Sequence, residues 1–203
     1  MKKNLFLNLS LRYKIFYKIY LYYNLYIRNL KYYFKNSYSQ LNEDIFLKEF
    51  FKNKRKGLFV DIGCHHPFKS NNTFLLYKSG WSGINIDLNR LSIDLFNIAR
   101  PRDINICSAI SNKEGIIDYY LPNNNPLSTE ITINESYSRI LRDHHGNKYK
   151  TFKTKSTTWP SIQKKYKNLL KNIDFLKIDI EGSDFQVLKT IDLEELKIKI
   201  LMI

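Results

Sequence analysis

"VDIGCHHPFKSNNT", Val60 to Thr73, is the stretch that decides the fold. Leu58, Phe59 and Val60 open it as a buried strand, and Asp61 and Gly63 fall where the strand stops. Two histidines, a proline and a polar run follow before the chain turns apolar at Phe74. Asn71 or Asn72 can cap a helix there, and "TFLLYKSG" gives about two turns closed by Gly80. A strand ending in an acid and a glycine before a helix start is the plan of a ligand site in an open parallel sheet. Ligands lie beyond the carboxyl ends of such strands; glycine lets the backbone approach, and the helix behind offers free N–H groups.

The rest of the chain repeats the alternation. "GINID" reads as a second strand ending in Asp87, "NRLSIDLFNIAR" as a helix stopped before Pro101, and "DINICSAI" as a third strand. "KEGIIDYYL" reads as a turn plus an extra strand, and "YKTFKTKSTT" as a strand returning to the sheet. The polar stretch between them, from Pro122 to Lys150, reads as an insertion over the site, with His144 and His145 facing solvent. "WPSIQKKYKNLLKN" is expected to be a helix with proline near its start, "IDFLKIDI" a strong strand, "GSDFQVLKTIDLEEL" a helix and "KIKILMI" a last strand. Strands alternating with helices predict an α/β fold with a doubly wound, mostly parallel Rossmann-like sheet.

Charge divides the 203-residue chain unevenly. Its net charge is +14, and residues 1–57 hold 13 Lys/Arg against 3 Asp/Glu, while residues 58–203 hold 20 against 16. This predicts a basic, Tyr-rich helical arm and linker over 1–57 and a nearly balanced domain over 58–203. The longest uncharged window of the arm, Ile19 to Ile27, is far too short to span a bilayer. Leu, Tyr and Phe interspersed with Lys and Arg suit a helix in the interface of an anionic membrane, through residues 1–36. They equally suit a helix packed on the domain or on a second subunit. Nucleic acid is the weaker reading, because no motif for it accompanies the aromatics. A second helix is expected near Glu43 to Phe51. Cys64 and Cys107 make no disulfide framework and read as two buried, reduced thiols of a cytoplasmic protein, peripheral at most to the inner membrane surface.

Three strands thus end in acids: Asp61, Asp87, and Asp179 with Glu181. Asp87 follows Asp61 by 26 residues, at the end of the second strand, where a carboxylate can accept hydrogen bonds from both ribose hydroxyls of an adenosine cofactor. The dinucleotide fingerprint is absent: only Gly63 is present, and His66 stands where a later glycine belongs. A smaller adenosyl ligand without phosphates fits better.

"YSQLNED", "FVDIGCHHP", "NTFLLYKSGWSGINID", "RPRDINICSAIS" and "DFLKIDIEGSDFQVLK" come in the order that resembles the FkbM family of S-adenosylmethionine-dependent methyltransferases. The resemblance covers residues 38–203 with a weak stretch from 121 to 157. It implies a class I methyltransferase fold and O-methyl transfer, commonly onto sugars of polysaccharides, glycolipids or natural products. Asp61 and Gly63 match the first cofactor motif, with Asn72 and Thr73 in the loop after it. Asp87 matches the ribose-binding acid, Ser108 and Ala109 the segment lining the adenine, and Asp179 and Glu181 the acidic motif ending the fourth strand. The chain departs from the family in having Asn71 for the usual serine and Asn42 for a usual glycine. The family continues beyond the position of Ile203 with an acid and two further strands, so the sheet is expected to stop after its fifth core strand.

Methyl transfer needs an aligned acceptor oxygen and a group to take its proton. Asp179 and Glu181 fall on one face of an extended strand and are candidate bases, or ligands of a divalent ion that acidifies the hydroxyl. Structural roles for this pair, capping the next helix and fixing a loop, are the alternative. His65 and His66 are further candidate bases. No spacing for a resident metal centre is present. The expected function is O-methyl transfer to a glycan or other small hydroxylated acceptor. The alternative is a non-catalytic, methyltransferase-like binding module docked to a membrane by its arm.

Overall fold

Five short strands build the centre of the computed structural model, which describes residues 12–122, 131–145, 149–180 and 182–203. They are β1 (Leu58–Ile62), β2 (Ser82–Asp87), β3 (Ile104–Cys107), β7 (Phe175–Ile178) and β8 (Ile200–Met202), all parallel, in the order β3-β2-β1-β7-β8. The chain runs outward from β1 to β3 on one side and then crosses to β7 and β8 on the other. The switch point therefore lies between β1 and β7, at the sheet's centre.

Both faces of the sheet are covered. Val60, Ile62, Ile84, Ile86, Leu176 and Ile178 pack with Trp159 and Ile162 of helix α7 (Trp159–Lys165) and Val187 of α8 (Asp184–Leu188). On the opposite face Phe59 and Phe175 meet Leu47 of α3 (Glu43–Phe50), Leu76 of α4 (Phe74–Lys78) and Trp81. Burial on both sides explains why β1 and β7 are buried at every position and hold consecutive apolar residues rather than alternating ones. Between β2 and β3 runs α5 (Arg90–Ala99), whose first turn is capped by Asn89 accepting from the Leu91 N–H at 2.9 Å.

The second face also carries polar groups that a sheet interior rarely holds. The Arg100 guanidinium is fully buried and pairs with Asp103 at 2.8 Å, and it donates to Thr73 Oγ1 and Asn71 Oδ1. Asp103 in turn accepts from the Gly83 N–H and the Asn85 amide. The rings of Phe59, Tyr77 and Phe96 surround the guanidinium at 4.9–5.0 Å, which favours a planar, weakly hydrated cation there.

Two strand expectations are corrected. "DINICSAI" is not one strand: it breaks at Ser108, whose N–H bonds back to the Asp87 carbonyl, and β4 (Ala109–Ile110) leaves the central sheet. The returning strand β6 (Tyr149–Thr157) does not rejoin the central sheet either. It pairs antiparallel with β5 (Gly115–Pro122) and parallel with β4, giving a separate three-stranded sheet. Its eight-pair antiparallel ladder with β5 satisfies its backbone without a place at the centre. Cys64 is buried as expected, but Cys107 is exposed, because β3 is the outermost strand of the central sheet on its side.

The described part of the arm forms helix α1 (Lys14–Tyr23), a π-helical turn (Asn24–Arg28) and the single turn α2 (Leu30–Tyr33). Tyr20, Leu21 and Leu25 are buried against Phe68, Phe74, Leu91 and Leu95. Tyr17 donates to Asp94 on α5 at 3.0 Å. Asn42 adopts a left-handed backbone (φ 67°), a conformation asparagine tolerates better than other side chains.

Candidate functional site

A cleft of about 310 Å³ opens at the carboxyl ends of the central strands, on the switch point. Its size is at the lower end for a small-molecule site. Ile62, Gly63 and His65 from the end of β1 line one side, with Ser70 beyond them. Ile86, Asp87 and Leu88 come from β2, Ser108 to Ile110 from the β3–β4 break, and Lys177, Asp179 and Ile180 from β7. Ile131 to Ile133 and Tyr137 close the cleft from the insertion. That wall is held by Asn134, whose amide donates to the Gly182 carbonyl at 2.9 Å, just before α6 (Glu135–His145). The insertion thus does lie over the strand ends, through its described residues.

Asp87 is the best-organised acid of the cleft. One carboxylate oxygen accepts from the His65 N–H at 2.8 Å and the other from the Asn89 N–H at 2.7 Å. The carboxylate is therefore aimed by backbone alone, and each oxygen keeps a lone pair for a ligand donor. Burial penalises its charged form more than the two N–H groups favour it, and its pKa is pushed up to about 6. Such a carboxylate is poised to gain from donors that a ligand brings.

Gly63 is fixed by sterics. Its φ is +81°, and a Cβ there would overlap the carbonyl of Asp179. Its N–H, like that of Asp179, is spent on crossing between strands, to Ile86 O at 2.8 Å and Ile62 O at 2.9 Å respectively.

The residue that sequence reasoning missed is Lys177. It sits on β7 in register with Asp61 on β1, and alternation puts it on the same face as Asp179. Its ammonium lies 2.9 Å from Asp179 Oδ2 and 3.6 Å from Asp61 Oδ1. Burial works against the charged amine, but the two carboxylates outweigh it and hold the pKa above the ordinary lysine range. The signal was present as a lysine in the middle of the apolar run "FLKIDI": a buried cation requires an anion beside it.

The other expected residues divide. His65, Ser108, Ala109 and Asp179 do line the cleft, and the Asp179 carboxylate is about half exposed there (53%). Asp61, Asn72 and Thr73 are buried behind the Gly63 turn rather than in the cleft wall. Asp61 accepts from Thr73 Oγ1 at 3.2 Å and more weakly from Asn71, so it pins the loop instead of facing a ligand. Asn71 links the same loop to Arg100, accepting from it and from the Thr73 N–H.

His66 also turns away from the cleft. Its Nδ1 accepts from the N–H groups of Phe68 and Lys69, which leaves Nε2 as the N–H donor to Asn24 Oδ1 at 3.1 Å. Asn29 completes the contact by donating to the same Asn24 oxygen at 2.9 Å. Burial, with His65, Lys69 and Arg28 nearby, lowers the His66 pKa to about 3. A neutral, fully engaged imidazole at this place ties the arm to the loop and is not positioned as a base. Glu181 lies outside the described residues. Among the described residues no group of three or more His, Cys, Asp or Glu side chains is gathered as a metal centre. The cation that Asp179 faces is the Lys177 ammonium.

A parallel sheet in this order, with its cleft at the switch point, is of the Rossmann-like methyltransferase class. The family model described as "Methyltransferase FkbM domain" matches residues 61–203, and the chain belongs to that family of methyltransferases. No curated protein and no solved structure gives a match.

Proposed function

We propose that this chain is an S-adenosylmethionine-dependent O-methyltransferase acting on a sugar hydroxyl of a glycan or glycolipid. Asp87 carries the reading: a carboxylate at the end of β2, aimed into the cleft by two backbone N–H groups, with one acceptor site left on each oxygen. That is the acceptor pair a ribose diol requires. The fit extends to the walls, where Leu88, Ala109 and Ile110 offer an apolar slot for adenine beside the Ser108 hydroxyl. The sugar acceptor rests on the family likeness of the sequence motifs.

When bound, the cofactor supplies an electrophilic methyl group on a sulfonium. The protein's part is to orient both partners and accept a proton. Asp179 is the favoured proton acceptor, because its carboxylate opens to the cleft while one oxygen is held by Lys177. His65, which lines the same cleft, is the second candidate. Lys177 fixes the direction of the Asp179 carboxylate through their 2.9 Å ion pair, a positioning role. Ile131 and Ile133 of the insertion add an apolar wall to the cleft.

Calorimetry with S-adenosylhomocysteine tests the cofactor assignment. Hydrogen bonds to a charged acceptor contribute about 1.5–3 kcal/mol each. Asp87→Ala is expected to weaken binding at least about tenfold. Unchanged affinity in a folded variant removes the ribose assignment. Binding without turnover on any acceptor favours the non-catalytic module instead.

A further inference from the structure

Helix α1 and the turn after it use only one face to pack on the domain, and the other face is also apolar. Ile15, Ile19, Tyr22 and Tyr26 recur at i, i+4, i+7 and i+11, a single outward stripe, and all four are exposed. Tyr22 and Tyr26 stack along it at 6.0 Å. Ile27, Leu30 and Phe34 extend the exposed apolar run, with Ile27 at 66% and Phe34 at 81% exposure. Lys14 and Lys18 flank the stripe, and Arg28, Lys31 and Lys35 follow it; all are exposed. Residues 1–42 contain eight Lys/Arg and no Asp or Glu.

We propose that this stripe is a docking surface for an anionic phospholipid bilayer, on which the arm lies flat. Three observations select that occupant. The stripe pairs aliphatic and tyrosyl side chains with basic flanks, which is the composition of an interfacial helix. The absence of any acid over residues 1–42 is complementary to anionic headgroups. It also works against a second copy seated face to face, since the two arms would present like charges. No described helix is long and apolar enough to cross a membrane, so the arm rests on the surface. Nucleic acid would gain little from Ile15, Ile19, Ile27 and Leu30, which have no ring to stack on bases. Because α1 and the π-helical turn are pinned to the loop after β1 through Asn24 and His66, the docked arm and the cleft move as one unit. The surface does not depend on the transfer reaction.

Co-sedimentation of the full chain with vesicles tests this. With phosphatidylglycerol and phosphatidylcholine in about equal parts, the chain is expected to pellet; with phosphatidylcholine alone it is expected to stay in solution. Ile15→Ser/Ile19→Ser/Ile27→Ser should weaken vesicle binding about tenfold or more, with little change in thermal stability because all three sites are exposed. Lys14→Gln/Lys18→Gln/Lys31→Gln should weaken it about fivefold per charge removed. The proposal is overturned if the full chain ignores anionic vesicles at low salt, or if both triple variants bind as the parent does. It is also overturned if the apolar triple instead abolishes a dimer seen by ultracentrifugation, or if a single-stranded oligonucleotide binds while vesicles do not.

Discussion

Lys177→Met removes the cation that two acids share, and its cost follows from where those acids lie. Asp61 is fully buried, and its Oδ1 makes no hydrogen bond; the ammonium 3.6 Å away is the charge that compensates it. Asp179 is half in solvent and can be hydrated instead. The loss therefore falls on Asp61, and breaking one partner of a buried pair costs about 3–5 kcal/mol. In a domain of this size that is a fall of about 6–20 °C in Tm. The sign with pH follows from the raised pKa of Lys177: its contribution is fully present below the ordinary lysine range and is lost only as pH rises through the higher folded value. Across pH 5–9 the parent's contribution is thus constant. Thermal denaturation followed by circular dichroism over that range measures the loss. Lys177→Met/Asp61→Asn, which removes the orphaned charge as well, should recover much of the loss. A single variant within about 1 kcal/mol of the parent at pH 7.5, or a double variant no better than the single, would refute the shared-cation argument.

Two further substitutions probe the cleft. Gly63→Ala places a Cβ on the Asp179 carbonyl at a positive φ, so it should lose both thermal stability and S-adenosylhomocysteine binding; a variant that melts and binds normally would mean the β1–β7 approach is looser than described. Asp179→Asn keeps shape but removes basicity, so turnover on an acceptor should fall on the order of 10²-fold with cofactor affinity little changed. Normal turnover would move the base to His65, and added chelator would reveal whether a divalent ion takes part.

Much of this fold was visible in the sequence because its strands are buried on both faces and end in acids. "LFVDIG", "GINID" and "FLKID" each show where a strand stops, and stopping points fix the side of the sheet on which a cleft can form. Spacing along the chain, however, cannot say which way a side chain turns after the stop. Asp61, Asn72 and Thr73 have the right positions for a cofactor loop, yet all three are buried behind it, where Thr73 donates to Asp61 and accepts from Arg100. His66 meets Asn24 from 42 residues away, a tertiary contact with no local trace. Lys177 was hidden by its own strand: its meaning depends on register with Asp61, which only the pairing of β1 with β7 reveals. The break at Ser108 was similarly invisible, because "NICSAI" is apolar enough to continue as one strand until β6 takes its second half.

The pH dependence of S-adenosylhomocysteine affinity, measured calorimetrically on the parent and on Asp87→Asn, tests most directly whether Asp87 holds the cofactor. In the free protein the Asp87 pKa is raised to about 6 from an ordinary value near 3.8. Its contribution to folding is therefore greatest below that ordinary value and is lost as pH rises through about 6, leaving an ionised acid in need of donors. Two ribose hydroxyls would meet that need, so binding should select the ionised form and take the pKa down. Affinity should then be flat above about pH 7 and weaken about tenfold by pH 5, with the turn near 6. His66, neutral throughout this range, adds nothing to the slope. Asp87→Asn should bind more weakly at pH 7.5 and show no such dependence. An affinity that stays level from pH 7.5 to 5 in the parent, or a slope that persists unchanged in Asp87→Asn, would contradict the account.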